Sequence, residues 1–373
     1  MSSAPDPQLI KESFEIIEPV ADKVAGWFYA KLFYEYPALQ DMFPPAMDTQ
    51  RARLLRALLR IVQAADQLDS LAEYLGQLGV DHRKFGVRPE HYEAVGRCLV
   101  SAVRRHVGAE WSGEMEDSWL AIYRGSAARM IQGAEEAAAS TPPWWTAEVL
   151  AHERRGVDLA VLRLAPDQPY PYVAGQYVSV ETRRWPRVWR FYSIANAPRP
   201  DNTLDFHVRA VGAGWVSSTL VDHVRPGDLV KLGPPVGTMT LDLESPRDVV
   251  CLAGGTGLAP MKALVEAMAL TESPRRTHLF MGARRRDDLY DMDAVLRIAA
   301  DSPWLSVIPA VSHDESHAGE RGMVPDVAAR YGRWRRHDVY AAGSPAMIRA
   351  TLTRFLELGV PLARIRYDAF ADA

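Results

Sequence analysis

The chain reads as three folds in series: an all-α domain, an antiparallel β-barrel, and an α/β domain built on a parallel sheet. Three observations give this. Apolar residues recur at three- and four-residue spacing, with no period-2 runs, until about residue 140. Pro142-Pro143 then ends the helical pattern, and short β-branched or aromatic runs separated by turn residues follow to about residue 244. Beyond that, apolar strands alternate with amphipathic helices. The domains expected are 1–140, 141–244 and 245–373, and a length of 373 residues suits two or three cores rather than one.

Bulk composition narrows the function classes. Apolar residues make up 48% and charged residues 24%, which is ordinary for a soluble globular protein. A formal net charge of −4 gives no electrostatic reason to expect a nucleic acid or an anionic membrane as the partner. No apolar run approaches the roughly 18–20 residues of a membrane span. Met1 to Lys11 is rich in Ser, Pro and Asp, with no apolar core of a signal peptide. Cys98 and Cys251 are the only cysteines, far apart in sequence, so neither a disulfide framework nor a cysteine metal cluster is expected. A cytoplasmic location follows as the expectation.

In the first third, helical spacing covers Leu9–Leu39, Thr49–Ala65, Leu71–Leu78, Pro89–Val107 and Glu114–Ala139. Pro89 suits a first helical position and Gly108 a helix end. Leu71, Leu75, Leu78 and His82 fall at i, i+4, i+7 and i+11, which puts an imidazole at the end of one apolar stripe. His106, after two arginines, suits a helix C-terminus, and His91, in a first turn, suits solvent. Taken alone, His82 is as compatible with a core or surface role as with ligation.

The middle third carries strand patterns at Ala147–Ala151, Asp158–Leu164, Tyr177–Glu181, Arg187–Ile194, Thr203–Val211 and Leu229–Leu232, with one helical insertion, Ser218–His223. Six short strands suggest a closed antiparallel barrel. Within it, Arg190-Phe191-Tyr192-Ser193 offers a planar cation for a pyrophosphate, a flat aromatic face and a hydroxyl for one flat, phosphate-bearing cofactor. Gly214-Trp215-Val216-Ser217 opens the inserted helix, where backbone donors make a second pyrophosphate seat.

In the last third, the apolar run Asp248–Ala253 leads into Gly254-Gly255-Thr256-Gly257-Leu258-Ala259-Pro260 and then the helix Met261–Leu270. Strand, glycine loop and helix let phosphates approach backbone amides at a helix start. The alternation continues through strands Thr277–Met281, Leu305–Ala310 and Asp338–Ala342 and helices Leu289–Ala300 and Met347–Leu358. Arg284-Arg285-Arg286 suits either a ribose 2′-phosphate or a solvated loop, so NADH and NADPH both stay open.

These motifs carry a resemblance. Arg190-x-Tyr192-Ser193, the turn Gly175-Gln176-Tyr177, and Gly254-Gly255-Thr256-Gly257-x-x-Pro260 resemble the FAD- and nucleotide-binding signatures of the ferredoxin-NADP reductase superfamily. His82-Arg-Lys-Phe85-Gly-Val87-Arg-Pro89-Glu-His-Tyr92 resembles the proximal-histidine segment of flavohaemoglobins. Phe28-Tyr29-Ala-Lys-Leu-Phe33, Pro37-Ala-Leu39 and Met42-Phe43 resemble the same family's second helix and the corner after it. Taken in order over nearly the whole chain, the pattern is similar to the flavohaemoglobin family, a globin fused to an FAD/NAD reductase module.

The resemblance implies haem b, FAD and NADH or NADPH, with NADH favoured. It implies that His82 ligates iron, that Phe43 packs on the haem face, and that Tyr29 and Gln50 form the distal pocket. Tyr92 and a last-helix carboxylate, Glu135 or Glu136, would tune the proximal side. FAD would be held by Gln176, Tyr177, Arg190, Tyr192, Ser193, Val216 and Ser217, and the nucleotide by Gly254, Gly255, Thr256, Gly257 and Pro260. Phe370, in Tyr367-Asp-Ala-Phe370, resembles the terminal aromatic that covers the flavin. Three departures are visible: Asp81 where relatives carry a lysine before the histidine, Ala174 for a proline, and Ala342-Gly343-Ser344-Pro345 for Cys-Gly-Pro. The implied activity is nitric oxide dioxygenation, with dioxygen and nitric oxide as small-molecule partners and a monomeric state. The alternatives are a globin sensor regulating a reductase, or a reductase for an external acceptor.

Overall fold

Pro19 divides what the spacing reads as one helical segment, Leu9–Leu39. Its ring and missing amide hydrogen end α1 (Pro7–Ile17) in a single 3-10 turn, Glu18–Val20, before α2 (Ala21–Glu35) begins. The computed structural model describes residues 5–212, 214–271 and 274–369. The chain forms two compact units, Met1–Trp144 and Trp145–Ala373.

The first unit is helical throughout. It continues with α3 (Asp48–Gln63), α4 (Ala72–His82), α5 (Pro89–Val107) and α6 (Gly113–Ala138). Pro89 sits in the first turn of α5, and Gly108 closes it with φ of 71°, a conformation that costs glycine little. Ser112 caps α6 by accepting from the Met115 amide at 3.1 Å. The core gathers Ile10, Phe28, Leu32, Cys98, Val103 and Trp119. Trp119 satisfies its buried indole N–H on the Ser13 hydroxyl at 2.9 Å, and that hydroxyl donates to the Ile10 carbonyl at 3.0 Å, tying α1 to α6.

One helix crossing sets the site. A Cβ on Gly79 of α4 would overlap the Met130 carbonyl of α6, and one on Gly133 would overlap the Gly76 backbone. Glycine at these positions lets the two helices touch backbone to backbone. A small apolar cluster, Leu71, Leu75 and Met130 with Leu78 and Tyr92 packed on it, fills the space beside this crossing. Burying a leucine such as Leu75 completely contributes about 1.5–3 kcal/mol.

The second unit holds two sheets. The first is antiparallel: β1 (Trp145–Arg154), β2 (Leu159–Pro166), β3 (Tyr177–Thr182), β4 (Arg190–Ser193), β5 (Leu204–Arg209) and β6 (Leu229–Val236). They pair in the order β4-β3-β6-β1-β2-β5. A bridge between Ile194 and Phe206 links the two ends, so the sheet is a nearly closed barrel. The inserted helix starts earlier than the sequence suggests, as α7 (Trp215–Ser218), and runs on as a π-helical turn through His223.

The second sheet is parallel and six-stranded, in the order β10-β9-β8-β7-β11-β12. Its elements are β7 (Val249–Gly254), α8 (Leu258–Ala269), β8 (Thr277–Ala283), α9 (Met292–Ala300), β9 (Leu305–Val311), β10 (Glu320–Arg321), α10 (Val324–Tyr331), β11 (Asp338–Gly343), α11 (Pro345–Glu357) and β12 (Ile365–Ala369). Strand order reverses between β7 and β11, and such a switch point opens a ligand crevice at the strands' carboxyl ends. The spacing did not reveal α10, β10 or β12. Helix α10 is only eight residues long and β10 two, too short for periodicity to register.

Candidate functional site

In the helical unit, α2 and the corner after it bring an aromatic cluster together. The Tyr29 ring lies 5.6 Å from Phe43 and 5.9 Å from Phe33, and Phe33 lies 5.2 Å from Phe43. Tyr29 is buried, and that burial pushes its hydroxyl up to about 12, although a hydrogen bond with Gln50 and the Arg51 charge both pull it down. At neutral pH the phenol keeps its proton. Tyr29 and Gln50, which the resemblance puts in a distal pocket, lie beside Phe43, which it puts on the haem face.

His82 is the last residue of α4. Its Nδ1 lies 2.7 Å from the Leu78 carbonyl four residues back. A carbonyl only accepts, so the proton sits on Nδ1 and Nε2 keeps its lone pair, the tautomer a metal ligand needs. Burial lowers the ring's pKa, the Leu78 bond and Asp81 raising it less, which favours the neutral form. Donor chemistry at His82 therefore fits haem iron. Tyr92 packs on the Leu71–Leu75–Met130 cluster, and burial pushes its hydroxyl up to about 12.

The carboxylate expected beside this imidazole is not there. Glu135 is exposed, and so is Glu136, whose carboxylate accepts from Gln132. For Glu135 the cause is the crossing at Gly79 and Gly133. Glu135 lies two residues past Gly133, roughly 200° around the helix, so it turns away from α4. Leu78 takes the hydrogen bond that a carboxylate was expected to accept. Asp81, which stands where relatives carry a lysine, pairs its carboxylate with the Lys84 ammonium at 2.5 Å.

In the barrel, Arg190 and Tyr192 alternate with Phe191 and Ser193 along β4 and so share one face. Arg190 donates to the Trp189 carbonyl at 3.0 Å, Tyr192 is deeply set with its hydroxyl pushed well up by burial, and Ser193 is buried. Phe191 is exposed, and Tyr177 packs edge-on against it at 5.2 Å. Gln176 is spent within the fold: its amide accepts from Val173 and donates to Gly237. Gly175, at φ of 94°, is required because a Cβ there would overlap the Met239 carbonyl. The α7 start has no side-chain cap, which leaves amides near Trp215 and Val216 open to an anion. Ser217 Oγ, by contrast, donates to Gly214 and accepts from Val211.

At the switch point, Gly254 ends β7 and Gly255–Gly257 turns as one 3-10 turn into α8, with no side-chain cap. Gly255 has φ of 54°, and a Cβ on Gly257 would overlap the Ala342 carbonyl. Thr256 is half-buried, and Pro260 is buried in the first turn of α8, where no amide is needed. Loop and β11 thus meet backbone to backbone, a cradle that fits a dinucleotide. A crevice beside it is lined by Ala253, Gly255, Leu258, Met281, Gly282, Asp288, Leu289 and Tyr290. Ser344, which interrupts the expected Cys-Gly-Pro, caps α11 by accepting from the Met347 amide at 3.3 Å. Arg284, Arg285 and Arg286 are exposed. Phe370 lies outside the described residues.

Sequence reasoning missed three features here. His207 of β5 is buried, with Nδ1 2.9 Å from the Tyr290 hydroxyl, and burial drives its pKa down to about 3. Lys262 and Glu266 of α8 form a largely buried ion pair at 2.7 Å. Asp368 of β12 lies opposite Ala342 with Oδ2 unsatisfied among the described residues. Lys262 and Glu266 left a readable trace, an i, i+4 charge pair inside an otherwise apolar helix. The other two depend on contacts between distant segments and left none.

Comparison with known proteins agrees with this layout. The globin family pattern matches residues 27–130, the oxidoreductase FAD-binding domain 146–241, and the oxidoreductase NAD-binding domain 251–353. A crystal structure of flavohaemoglobin from Malassezia yamatoensis, with bound FAD and haem, superposes with a TM-score of 0.80 at 19% identity, covering 97% of this chain and 99% of that one. The FAD/NAD-binding domain of a nitric oxide dioxygenase from Vibrio cholerae superposes with a TM-score of 0.55 at 22% identity, covering 61% of this chain and 99% of that one. Haem, FAD and a nicotinamide nucleotide are the cofactors, and the protein is an NAD(P)H-dependent oxidoreductase. Among the described residues no helix is long and apolar enough to cross a membrane. A flavohaemoprotein from Deinococcus radiodurans is 30% identical over 86% of this chain and 83% of its own length, and kinship of that extent means that the chain belongs to the flavohaemoprotein family.

Proposed function

We propose that this protein is a nitric oxide dioxygenase, consuming NAD(P)H, dioxygen and nitric oxide to give nitrate. The observation that carries the reading is the buried Tyr29 hydroxyl, held by Gln50 and kept protonated at neutral pH, on the helical unit that also bears His82. Such a donor stabilises negative charge developing on a bound gas. The Vibrio cholerae relative is itself described as a nitric oxide dioxygenase.

When bound, the cofactors supply a two-electron donor, a flavin able to divide that pair into single electrons, and an iron centre that takes them one at a time. The chain's residues do the rest. Gly254–Gly257 present backbone amides to the nucleotide phosphates, and Pro260 starts the helix behind them. Arg190, with the amides at Val216 and Ser217, would hold the flavin pyrophosphate, and Tyr192 and Ser193 would contact its ring. With haem bound, His82 would offer Nε2 to the iron, Phe43 would pack on the haem, and Tyr29 would donate toward a gas there. The division at residues 140 and 244, and a monomer acting on dioxygen and nitric oxide, belong to the same proposal.

The test is aerobic nitric oxide consumption by the loaded protein. Consumption should be stoichiometric with NADH oxidation and yield nitrate, and Tyr29→Phe should lower it about 10- to 100-fold, the worth of one hydrogen bond to a charged acceptor. If NADH reduces the flavin anaerobically but never the haem, a reductase for another acceptor or a sensing globin is the better reading. Wild-type consumption in Tyr29→Phe would remove the distal assignment.

A further inference from the structure

We propose that Lys262 and Glu266 are positioning residues for hydride transfer, a clamp by which the nucleotide loop's own helix holds the backbone just beyond the flavin strand. Both lie on α8, one turn apart on the same face, and α8 begins directly after Gly255–Gly257. The Lys262 ammonium donates to the Ala195 carbonyl at 3.3 Å and to Glu266 Oε1 at 2.7 Å. The other carboxylate oxygen, Oε2, accepts from the Ala197 amide at 3.0 Å. Ala195 and Ala197 stand two and four residues after Ser193, at the end of the Arg190–Ser193 strand.

The gripped segment is itself fixed to the barrel. The Ala195 amide donates to the Asp205 backbone carbonyl at 2.7 Å. Between the two alanines, Asn196 donates to Thr203 and Tyr172 and accepts from the Asp205 amide at 2.6 Å. Arg199 reaches from this segment to Glu266 at 3.8 Å and to Asp205 at 2.9 Å, and Asp205 also holds Arg163. Movement of α8 along its axis is thus transmitted to the flavin strand through directional bonds rather than through greasy contact.

Stability does not account for the pair. The rest of α8 facing the sheet is apolar, including Leu258, Met261, Leu264 and Val265, and the Lys262 side chain is only 8% exposed. A buried ion pair is commonly matched or bettered in stability by a packed apolar pair of like volume. What apolar residues lack is a fixed direction. Transfer of a hydride, one proton with two electrons, from reduced nicotinamide to flavin needs the reacting atoms about 3–3.5 Å apart, and a 1 Å error costs about 10²-fold. The inference concerns the reductive half alone and stands whatever gas the haem unit binds.

The test uses the full chain loaded with haem and FAD, comparing wild type with Lys262→Met, Lys262→Arg and the charge-neutral Lys262→Met/Glu266→Leu. Anaerobic stopped-flow with NADH gives its Kd and the limiting rate of flavin reduction. Hydrogen exchange reports on the 194–199 segment, and thermal melting on stability. The double substitution should melt close to wild type and keep FAD, with the NADH Kd within about twofold, yet its limiting rate should fall about tenfold or more. Exchange across 194–199 should quicken in step, and Lys262→Arg should recover most of the rate. An unchanged limiting rate in the well-folded double variant overturns the proposal. A rate loss that merely follows loss of bound FAD overturns it too, leaving the pair a role in the fold alone.

Discussion

Burial pushes the Asp368 carboxyl up to about 6, and its Oδ2 meets no donor among the described residues. The folded state therefore holds this proton more tightly than the unfolded chain, where the group titrates at its ordinary 3.8. Between those two values the native protein binds more protons, so stability falls as pH rises from about 4 to about 6 and is level above. Asp368→Asn removes that loss. Melting temperatures should show the variant above wild type by several degrees at pH 8, with the gap closing toward pH 4. A constant gap across that range would mean that Asp368 is not the titrating group. At this scale, legibility followed sequence distance. Tyr29, His82, Arg190 and the Gly254–Gly257 loop each sit in a short run that resembles a family signature. His207 and Tyr290 lie 83 residues apart and meet only after β5 packs against the segment before α9.

At the scale of elements, helix ends were legible at Pro89 and Gly108, whereas the Ser112 cap of α6 became visible only in the structure. Glu135 shows the limit. The family resemblance suggested a last-helix carboxylate within reach of His82, but the direction of Glu135 is set by which face α6 turns to α4. That choice rests on Gly76, Gly79 and Gly133, glycines whose meaning appears only when two helices touch. The same crossing makes a prediction. A methyl group at Gly79 has nowhere to go but into the Met130 backbone, so α4 must shift away from α6 and carry His82 with it. Gly79→Ala should cost about 1–3 kcal/mol in stability, typical of overpacking. Haem should also dissociate faster, read as transfer to an excess of an apo-globin acceptor. Gly113→Ala, in the open first turn of α6 with nothing near its Cβ, is the control and should leave both unchanged.

For the whole molecule, the order helix unit, barrel, parallel sheet was readable because each fold writes a different period into the sequence: 3.6, then 2, then the two in alternation. The chain divides into compact units at Trp144 and Trp145, and each carries its own share of the chemistry. The cradle at Gly254–Gly257, the β4 strand and the α8 clamp all draw on residues after Trp145, whereas His82, Tyr29 and Gln50 all precede it. Electron entry should therefore survive the loss of electron exit. In His82→Ala full-length protein, NADH oxidation with ferricyanide as acceptor should stay within about twofold of wild type, since no group in the reductive half has changed. The Soret absorbance should be weak or lost, and aerobic nitric oxide consumption should drop to the level of free flavin. If ferricyanide reduction falls as far as nitric oxide consumption, the two units are not energetically independent, and His82 has a structural part in the second that its place on α4 does not predict.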